Sequence, residues 1–316
     1  MTGAAQPALA AELIAVVVAA NEDAPRILTV EDGKALPSGP FESSHRSLQS
    51  GMRAWVEEQT GHPLGYVEQL YTFADRDRTA GEGMRRTISI SYLGLTREAP
   101  TPAVAGASFQ DWYRYFPWED RREGPPQGTA ARIARPIAAA IATPIAQGLK
   151  SWAKTAPTAS LRRERNERAA LAFGLGGAGW NEEFSLQRYE LLYEAGLVAE
   201  AGGPFLGAAM LHDHRRILAT GIARLRAKIK YRPVVFELMP PSFTLLALQR
   251  VVEALAGVRL HKQNFRRLIA RQALVEETDA MIVETGGRPA RLFRFRRAVL
   301  RERALAGARL PLAQPR

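Results

Sequence analysis

The chain has no cysteine. That absence removes disulfides, thiol nucleophiles, iron–sulfur clusters and cysteine-based zinc sites together, and it fits a reducing compartment. No apolar run reaches bilayer length. Residues 13–20 (LIAVVVAA) are eight in number, against the roughly 20 that a spanning helix needs. The Ala/Ile-rich stretch 129–149 is broken by Arg132, Arg135, Pro136 and Pro144. No basic residue precedes the first apolar run, so the start does not read as a signal peptide. The expectation is a cytoplasmic protein with no membrane segment. Acidic residues are scarce in one region only. Residues 212–316 hold 22 Lys and Arg against 8 Asp and Glu, whereas residues 1–211 hold 21 against 24. The entire basic excess of the chain sits in its last third, which points to a polyanion partner for that part alone.

What is present is globular. The chain has 316 residues, 46% hydrophobic and 24% charged, a composition that excludes wholesale disorder and a length that suits two domains, or one domain with a large insertion. Residues 13–20 form a short β-branched run and read as a buried strand, with residues 26–30 (RILTV) as its hairpin partner. Residues 36–40 read as a Pro/Gly loop, after which Ser43 or Ser44 offers a helix N-cap. From His45, Leu48, Met52, Trp55 and Gln59 fall on one helical face, and Gly61 closes the helix. Residues 66–73 (YVEQLYTF) and 87–95 (TISISYLGL) alternate and read as strands. Residues 98–128 read as irregular, with Trp112, Tyr115 and Trp118 as a satellite core. Residues 129–200 read as mostly helical, with the run 161–168 (LRRERNER) as a solvated face.

The last third has its own texture. Residues 211–229 read as one helix with Ile217, Ile222, Leu225 and Ile229 as its apolar positions, and 234–238 as a short strand. Residues 243–256 form a helix with Leu245, Leu248, Val252 and Leu255 on one face, closed by Gly257. A second helix, 261–272, follows after a short turn. Residues 274–278 and 291–295 then form a hairpin around Gly286-Gly287-Arg288. Helix, short Gly-containing turn, helix, hairpin is the order of a winged helix–turn–helix. On the second helix, Phe265, Leu268 and Ile269 suit the core. Gln263, Asn264, Arg267 and Arg271 share another face, flanked by Lys262 and Arg266. Amide and guanidinium groups on one helix face are what base-edge readout in a major groove requires. Arg288 at the wing tip suits phosphate or the minor groove, and Arg291, Arg294, Arg296 and Arg297 behind it can add phosphate contacts. His261 reads as a cap or a phosphate contact. His212 and His214, two apart on a helix, do not converge on one metal, and Asp213 between them reads as a cap.

Upstream, Gly39, Arg53, Glu57, Glu58 and Gly61 outline an incomplete Nudix signature. In that motif glutamates on one helix hold the magnesium that activates water at a diphosphate. Counting from Gly39, the first glutamate position is His45, a second is Ala54, and the closing glycine is displaced by one to Gly61. Setting the register by Gly61 instead loses the starting glycine and the arginine and leaves Gln59 at a metal-binding place. Magnesium wants several hard oxygen ligands in octahedral array, and Glu57 and Glu58 alone would hold it weakly. A cleft that binds a nucleotide without cleaving it is a sensor.

The segments PFESSHRSLQSGMRAWVEEQTG, YVEQLYTFADRDR, RRTISISYLGL and LHKQNFRR…GGRPARLFRF, together with FPWEDRR, resemble the Nudix-related transcriptional regulators of NAD metabolism, in particular their NadQ-type, NrtR-like branch. The resemblance runs through most of residues 11–298. It implies an α+β fold, a Nudix-like α/β/α sandwich with a helical insertion, followed by a C-terminal winged helix–turn–helix. It further implies a homodimeric repressor of NAD biosynthesis genes that binds double-stranded DNA at a palindromic operator. Its effector would be NAD, ADP-ribose or ATP, with no other cofactor, no metal and no catalytic residue. Residue type and place nominate Arg46, Arg53, Glu57, Glu58, Tyr71, Arg76 and Arg78 for that nucleotide, arginines for the pyrophosphate and Tyr71 or Phe73 for the adenine.

The expected division is a sensing domain over 1–124, a helical insertion over 125–205, a linker helix over 206–230 and the winged helix over 231–316. Two rivals belong to other classes. One is an active Nudix hydrolase of ADP-ribose or NAD-type dinucleotides with a basic accessory domain, the other a winged-helix adaptor that binds a protein.

Overall fold

The computed structural model describes residues 10–74, 87–97, 104–122, 137–203, 206–282 and 289–299, with 137–141 by backbone alone. Strand β1 (Ala10–Ala20) is the spine of a six-stranded mixed sheet in the order β4-β5-β1-β2-β6. Along one edge β1 pairs in parallel with β5 (Thr87–Leu95). Its other edge is shared. β3 (Ser38–Pro40) takes the first half of β1 and β2 (Pro25–Thr29) the second, both antiparallel. β4 (Tyr66–Phe73) lies outside β5, and β6 (Ser108–Asp111) outside β2.

Because side chains alternate along a strand, β1 feeds two layers. Leu13, Ala15 and Val17 pack with Met52 and Val56 of helix α1 (Leu48–Thr60). Ile14, Val16 and Val18 belong to the larger core on the opposite face, with Ile217, Leu218 and Ile222 of helix α5 (His214–Tyr231). This is why residues 13–20 are apolar without a break: a strand buried on both faces has no polar side. α5 lies so close to the sheet that a Cβ on Gly221 would fall 2.8 Å from the Val16 side chain, so only glycine fits there.

Between β6 and α5 the described residues include the α-helices α2 (Ile137–Lys154), α3 (Ala159–Phe173) and α4 (Ser185–Glu194). α4 packs along α5 and contributes Tyr189, Leu191 and Leu192 to the main core. Beyond α5 come α6 (Leu245–Ala256), α7 (Lys262–Arg271) and the hairpin β7 (Val275–Ile282) and β8 (Ala290–Phe295). A Nudix-like sandwich with inserted helices and a C-terminal winged helix–turn–helix is thus in place.

Several local expectations need correction. α1 starts at Leu48, because Ser47 and Ser50 cap each other reciprocally; Ser43 and Ser44 lie in the preceding turn. Residues 38–40 are a strand, held by β1. β6 lies inside the stretch expected to be irregular, and exists through its ladder to β2. Residues 234–237 are a single 3₁₀ turn, which buries Val234, Val235 and Phe236 together instead of alternately. Asp213 makes no side-chain cap for α5; it pairs with Arg216 at 3.2 Å. Trp112, Tyr115 and Trp118 are buried, but in the main core and not in a satellite one, because they pack with Phe116 and Tyr189 beneath the sheet residues Val16 and Val18. No helix among the described residues is long and apolar enough to cross a membrane.

Candidate nucleic-acid interface and nucleotide cleft

The helix–turn–helix is built from a capped helix and a locked turn. Thr244 caps α6 by accepting from the Ala247 amide at 3.0 Å. Gly257 ends it in the left-handed region, at φ 72°, which glycine alone adopts without strain. Buried Glu253 fastens the turn, accepting from the Leu260 amide at 2.9 Å, from Gln249 Nε2 at 2.8 Å and from Arg259 Nη1 at 2.9 Å. Burial pushes its carboxyl up, but these donors outweigh it and hold the group below the ordinary carboxylate range.

α7 therefore leaves the turn in a fixed direction. Phe265 and Ile269, four apart, are buried. Lys262, Gln263, Asn264, Arg266, Arg267 and Arg271 are all exposed. Arg267 Nη2 donates to Asn264 Oδ1 at 2.8 Å, which aligns the two groups best suited to base edges. Leu268, expected in the core, is instead 52% exposed. It faces a hollow of about 280 Å³ between α7 and the end of α5, shared with Tyr231, Ile229 and Val252. His261 occupies the N-cap position without a side-chain cap bond, so its expected capping role is not realised.

The wing docks on the segment between α5 and α6, through paired Phe243–Phe293 backbone bonds and through Phe236 stacked on Phe295 at 4.3 Å. Arg291 and Arg294 are ion-paired across the hairpin with Glu277 and Glu276, and Arg296 donates to the Ala273 carbonyl at 2.8 Å. Arg288 lies outside the described residues.

In the N-terminal half, the nominated residues among those described have separate local settings. Glu57 and Glu58 are exposed on α1. Arg46 is exposed but precedes the helix on which it was expected. The Arg53 guanidinium donates to the carbonyls of Leu64 and Gly65 and ties the loop after α1. Phe73 is buried core and Tyr71 is 60% exposed, so of the two rings Tyr71 is the one open to solvent. Arg76 and Arg78 lie outside the described residues. At the first glutamate position of the motif, His45 accepts the Glu42 amide through Nδ1 at 3.1 Å and meets Trp55 edge-on. Among the described residues no group of three or more His, Asp or Glu could hold a metal.

Residue spacing gave no sign of Glu119, Arg188 and Arg226, which form an ion cluster closed to solvent beside the C-terminal end of α6. Burial pushes the Glu119 carboxyl up, but the two guanidiniums overcome this and hold it below the usual carboxylate range. His214, weighed in the sequence only as a metal ligand, is buried. Its Nδ1 accepts the Leu36 amide at 2.9 Å. Burial, with a smaller contribution from His212, lowers its pKa to about 4.

Comparison with known proteins agrees with this architecture. Residues 235–295 match the NrtR DNA-binding winged helix domain. The ADPR responsive transcriptional repressor NtrR of Acinetobacter baylyi is 43% identical over 83 residues, 26% of this chain and 33% of that protein. The match thus spans about a third of that relative's length. In three dimensions the chain is similar to Shewanella oneidensis NrtR, solved as a complex with a 27mer DNA, with TM-score 0.54, 17% identity and coverage of 91% of this chain and 94% of that one. It is also similar to a MutT/nudix family protein from Enterococcus faecalis, with TM-score 0.51, 16% identity and coverage of 94% and 89%.

Proposed function

We propose that this chain, NrtR-like in its winged helix and Nudix-like in its fold, is a cytoplasmic DNA-binding repressor of NAD biosynthesis genes. Its DNA affinity is set by an NAD-related adenine nucleotide, of which ADP-ribose is the first to test because the Acinetobacter relative is named for it. The observation that carries this reading is the exposed face of α7, where Asn264 and Arg267 are aligned between Lys262, Arg266 and Arg271. That face has the donor geometry for major-groove edges and phosphates.

A homodimer would place two such helices about one DNA turn apart on a palindrome. The working division remains a sensor over 1–124, an insertion over 125–205, a linker helix over 206–230 and a reader over 231–316. The sensor binds without hydrolysing. Its Nudix helix supplies Glu57 and Glu58, but His45 and Ala54 stand at the other two carboxylate positions. His45 is moreover engaged with the backbone. This donor set does not fit an octahedral magnesium site. Tyr71 is the adenine platform and Arg46, Arg76 and Arg78 are the pyrophosphate partners, while the Arg53 guanidinium is engaged by the Leu64 and Gly65 carbonyls.

The test is a gel shift on the protein's own upstream region and on NAD-synthesis promoters, with and without NAD, ADP-ribose and ATP. A retarded complex that changes with one of the three is expected. Magnesium-dependent cleavage of ADP-ribose at enzyme-like rates would move the chain to the hydrolases. No salt-sensitive DNA affinity at all would leave the winged helix as a protein-binding module.

A further inference from the structure

Helices end with carbonyls that have no partner in the helix. In α6, the helix just before the reading turn, the partners come from outside the reader. The Ala254 carbonyl accepts from Tyr113 Oη at 2.6 Å, the Leu255 carbonyl from Arg226 Nε at 2.8 Å, and the Gly257 carbonyl from the Arg121 amide at 2.7 Å. Tyr113 and Arg121 belong to the segment that leaves edge strand β6, and Arg226 to α5. The fit leaves no slack: a Cβ on Gly257 would lie 2.2 Å from the Glu119 carbonyl.

Glu119 is the centre of this grip. Its side chain is fully buried and takes Arg188 Nε at 2.5 Å and Nη2 at 2.8 Å, Ser185 Oγ at 3.2 Å and Arg226 Nη1. Arg188 is held in turn by the carbonyls of Ala172 at 3.0 Å and Asn181 at 2.8 Å, so the inserted helices brace the cluster from behind. The same segment is tied to the sheet. Arg122 pairs with Asp120 and donates to the Asp23 carbonyl in the β1–β2 turn, while Arg250 of α6 pairs with Glu22 of that turn at 2.7 Å. β2 is the strand on which β6 is laddered. Displacement of β6 and of the β2 strand beside it therefore carries the residues that hold the reading turn.

We infer that Glu119 is a positioning residue for DNA reading. Through Arg226 and the α6 carbonyls it fixes how the recognition helix is presented, and the nucleotide signal reaches the reader through this clamp. The inference rests on the proposed function and adds its route of control. An effector can change DNA affinity only by favouring one arrangement of the reader over another. Within a protomer, an arrangement that leaves Glu119, Arg226 and the three carbonyls undisturbed leaves the turn and α7 where they are relative to α5 and β6. A buried carboxylate between two guanidiniums costs desolvation that an apolar cluster would avoid, so fixed orientation is the benefit it supplies.

The experiment uses the full chain and the DNA fragment that it retards. DNA affinity is measured by fluorescence anisotropy with and without ADP-ribose, and ADP-ribose affinity by calorimetry, for wild type, Glu119→Gln, Glu119→Asp and Tyr113→Phe. Each variant is expected to bind ADP-ribose within threefold of wild type. In Glu119→Gln and Tyr113→Phe the ratio of DNA affinities without and with ADP-ribose should move at least fivefold towards one, while Glu119→Asp, which keeps the charge, restores part of it. A plain structural staple would lower the melting temperature and leave the ratio alone. Should Glu119→Gln not fold, Tyr113→Phe, which loses one hydroxyl and keeps the ring, carries the test. A full-sized ratio in folded Tyr113→Phe and Glu119→Gln, or in Tyr113→Phe where Glu119→Gln does not fold, overturns the inference and spares the proposed function. A wild-type ratio of one for ADP-ribose, NAD and ATP alike overturns the proposed control itself, and the clamp's regulatory role with it.

Discussion

Helices α5 and α7 are both rich in basic residues and use them in opposite ways. On α5, Arg215, Arg216, Arg226, Lys228 and Lys230 each meet a carboxylate, from Glu200, Glu190, Glu119, Glu68 and Glu182 respectively. On α7, Lys262, Arg266 and Arg271 are exposed and have no ion pair among the described residues. The first set joins parts of the molecule. The second is left for something outside it. Summed charge cannot tell them apart: the excess of 22 basic over 8 acidic residues in 212–316 counts both, and so overstates the surface offered to a polyanion. Burial and pairing, more than the count, mark a footprint.

The comparison breaks most visibly if a cation is removed from each helix. Arg226→Ala leaves Glu119 with one guanidinium and the Leu255 carbonyl unpaired. Truncating one member of a buried ion cluster costs about 3–5 kcal/mol. Urea unfolding should show a loss of that order, whereas Arg266→Ala on α7 should stay within about 0.5 kcal/mol of wild type. Similar losses in both would mean that the two helices are not distinct.

The start of α5 sharpens the contrast through pH. His214 is neutral in the fold, with its pKa lowered from 6.5 to about 4 by burial and by His212. A folded pKa below the unfolded one gives stability that is present in full above the unfolded value and is lost as pH falls through the folded value. Stability should therefore drop between about pH 6.5 and pH 4, by up to about 3 kcal/mol from this group. His214→Asn keeps an acceptor for the Leu36 amide and does not titrate. The wild-type minus variant difference, followed by chemical denaturation across that window, isolates the effect; a flat difference would remove His214 from the account.

The sequence made some of this legible and hid the rest for identifiable reasons. β1 was plain because eight apolar residues in a row leave no polar face. β4 and β5 were plain from alternation, and the α7 face from helical spacing, Leu268 excepted. β6 is SFQD, four residues without a pattern, and it is a strand only because β2 lies beside it. Glu119 stands in a run of charged residues that reads as surface. Its burial is set by Arg188, 69 residues later, and Arg226, 107 residues later. The His214 partner, Leu36, is 178 residues away. Local periodicity carries information over one helix or strand, and such contacts lie beyond it.

Two smaller effects probe the α7 side. Asn264→Ala and Arg267→Ala should each weaken specific DNA binding by about 1–3 kcal/mol and relax sequence preference, with unfolding free energy within about 0.5 kcal/mol of wild type. Because Arg267 Nη2 donates to Asn264 Oδ1, the two losses should not add: the double variant should fall short of their sum. Full additivity by titration would mean that the residues act separately and that their alignment is incidental.

The smallest effect separates phosphate contacts from base contacts. Lys262 and Arg266 flank the reading face and carry charge without an internal partner among the described residues. A cation that neutralises one phosphate releases about one condensed counterion, so its removal should lower the slope of log affinity against log salt by about one and weaken all DNA sequences alike. Lys230 provides the control. It is held between Glu182 at 2.7 Å and Glu183 at 2.6 Å, so Lys230→Ala should leave the slope unchanged. An equal change in slope for Lys230→Ala and Lys262→Ala would show that internally paired cations also reach the duplex, and the distinction between a joining helix and a reading helix would fail at its most sensitive point.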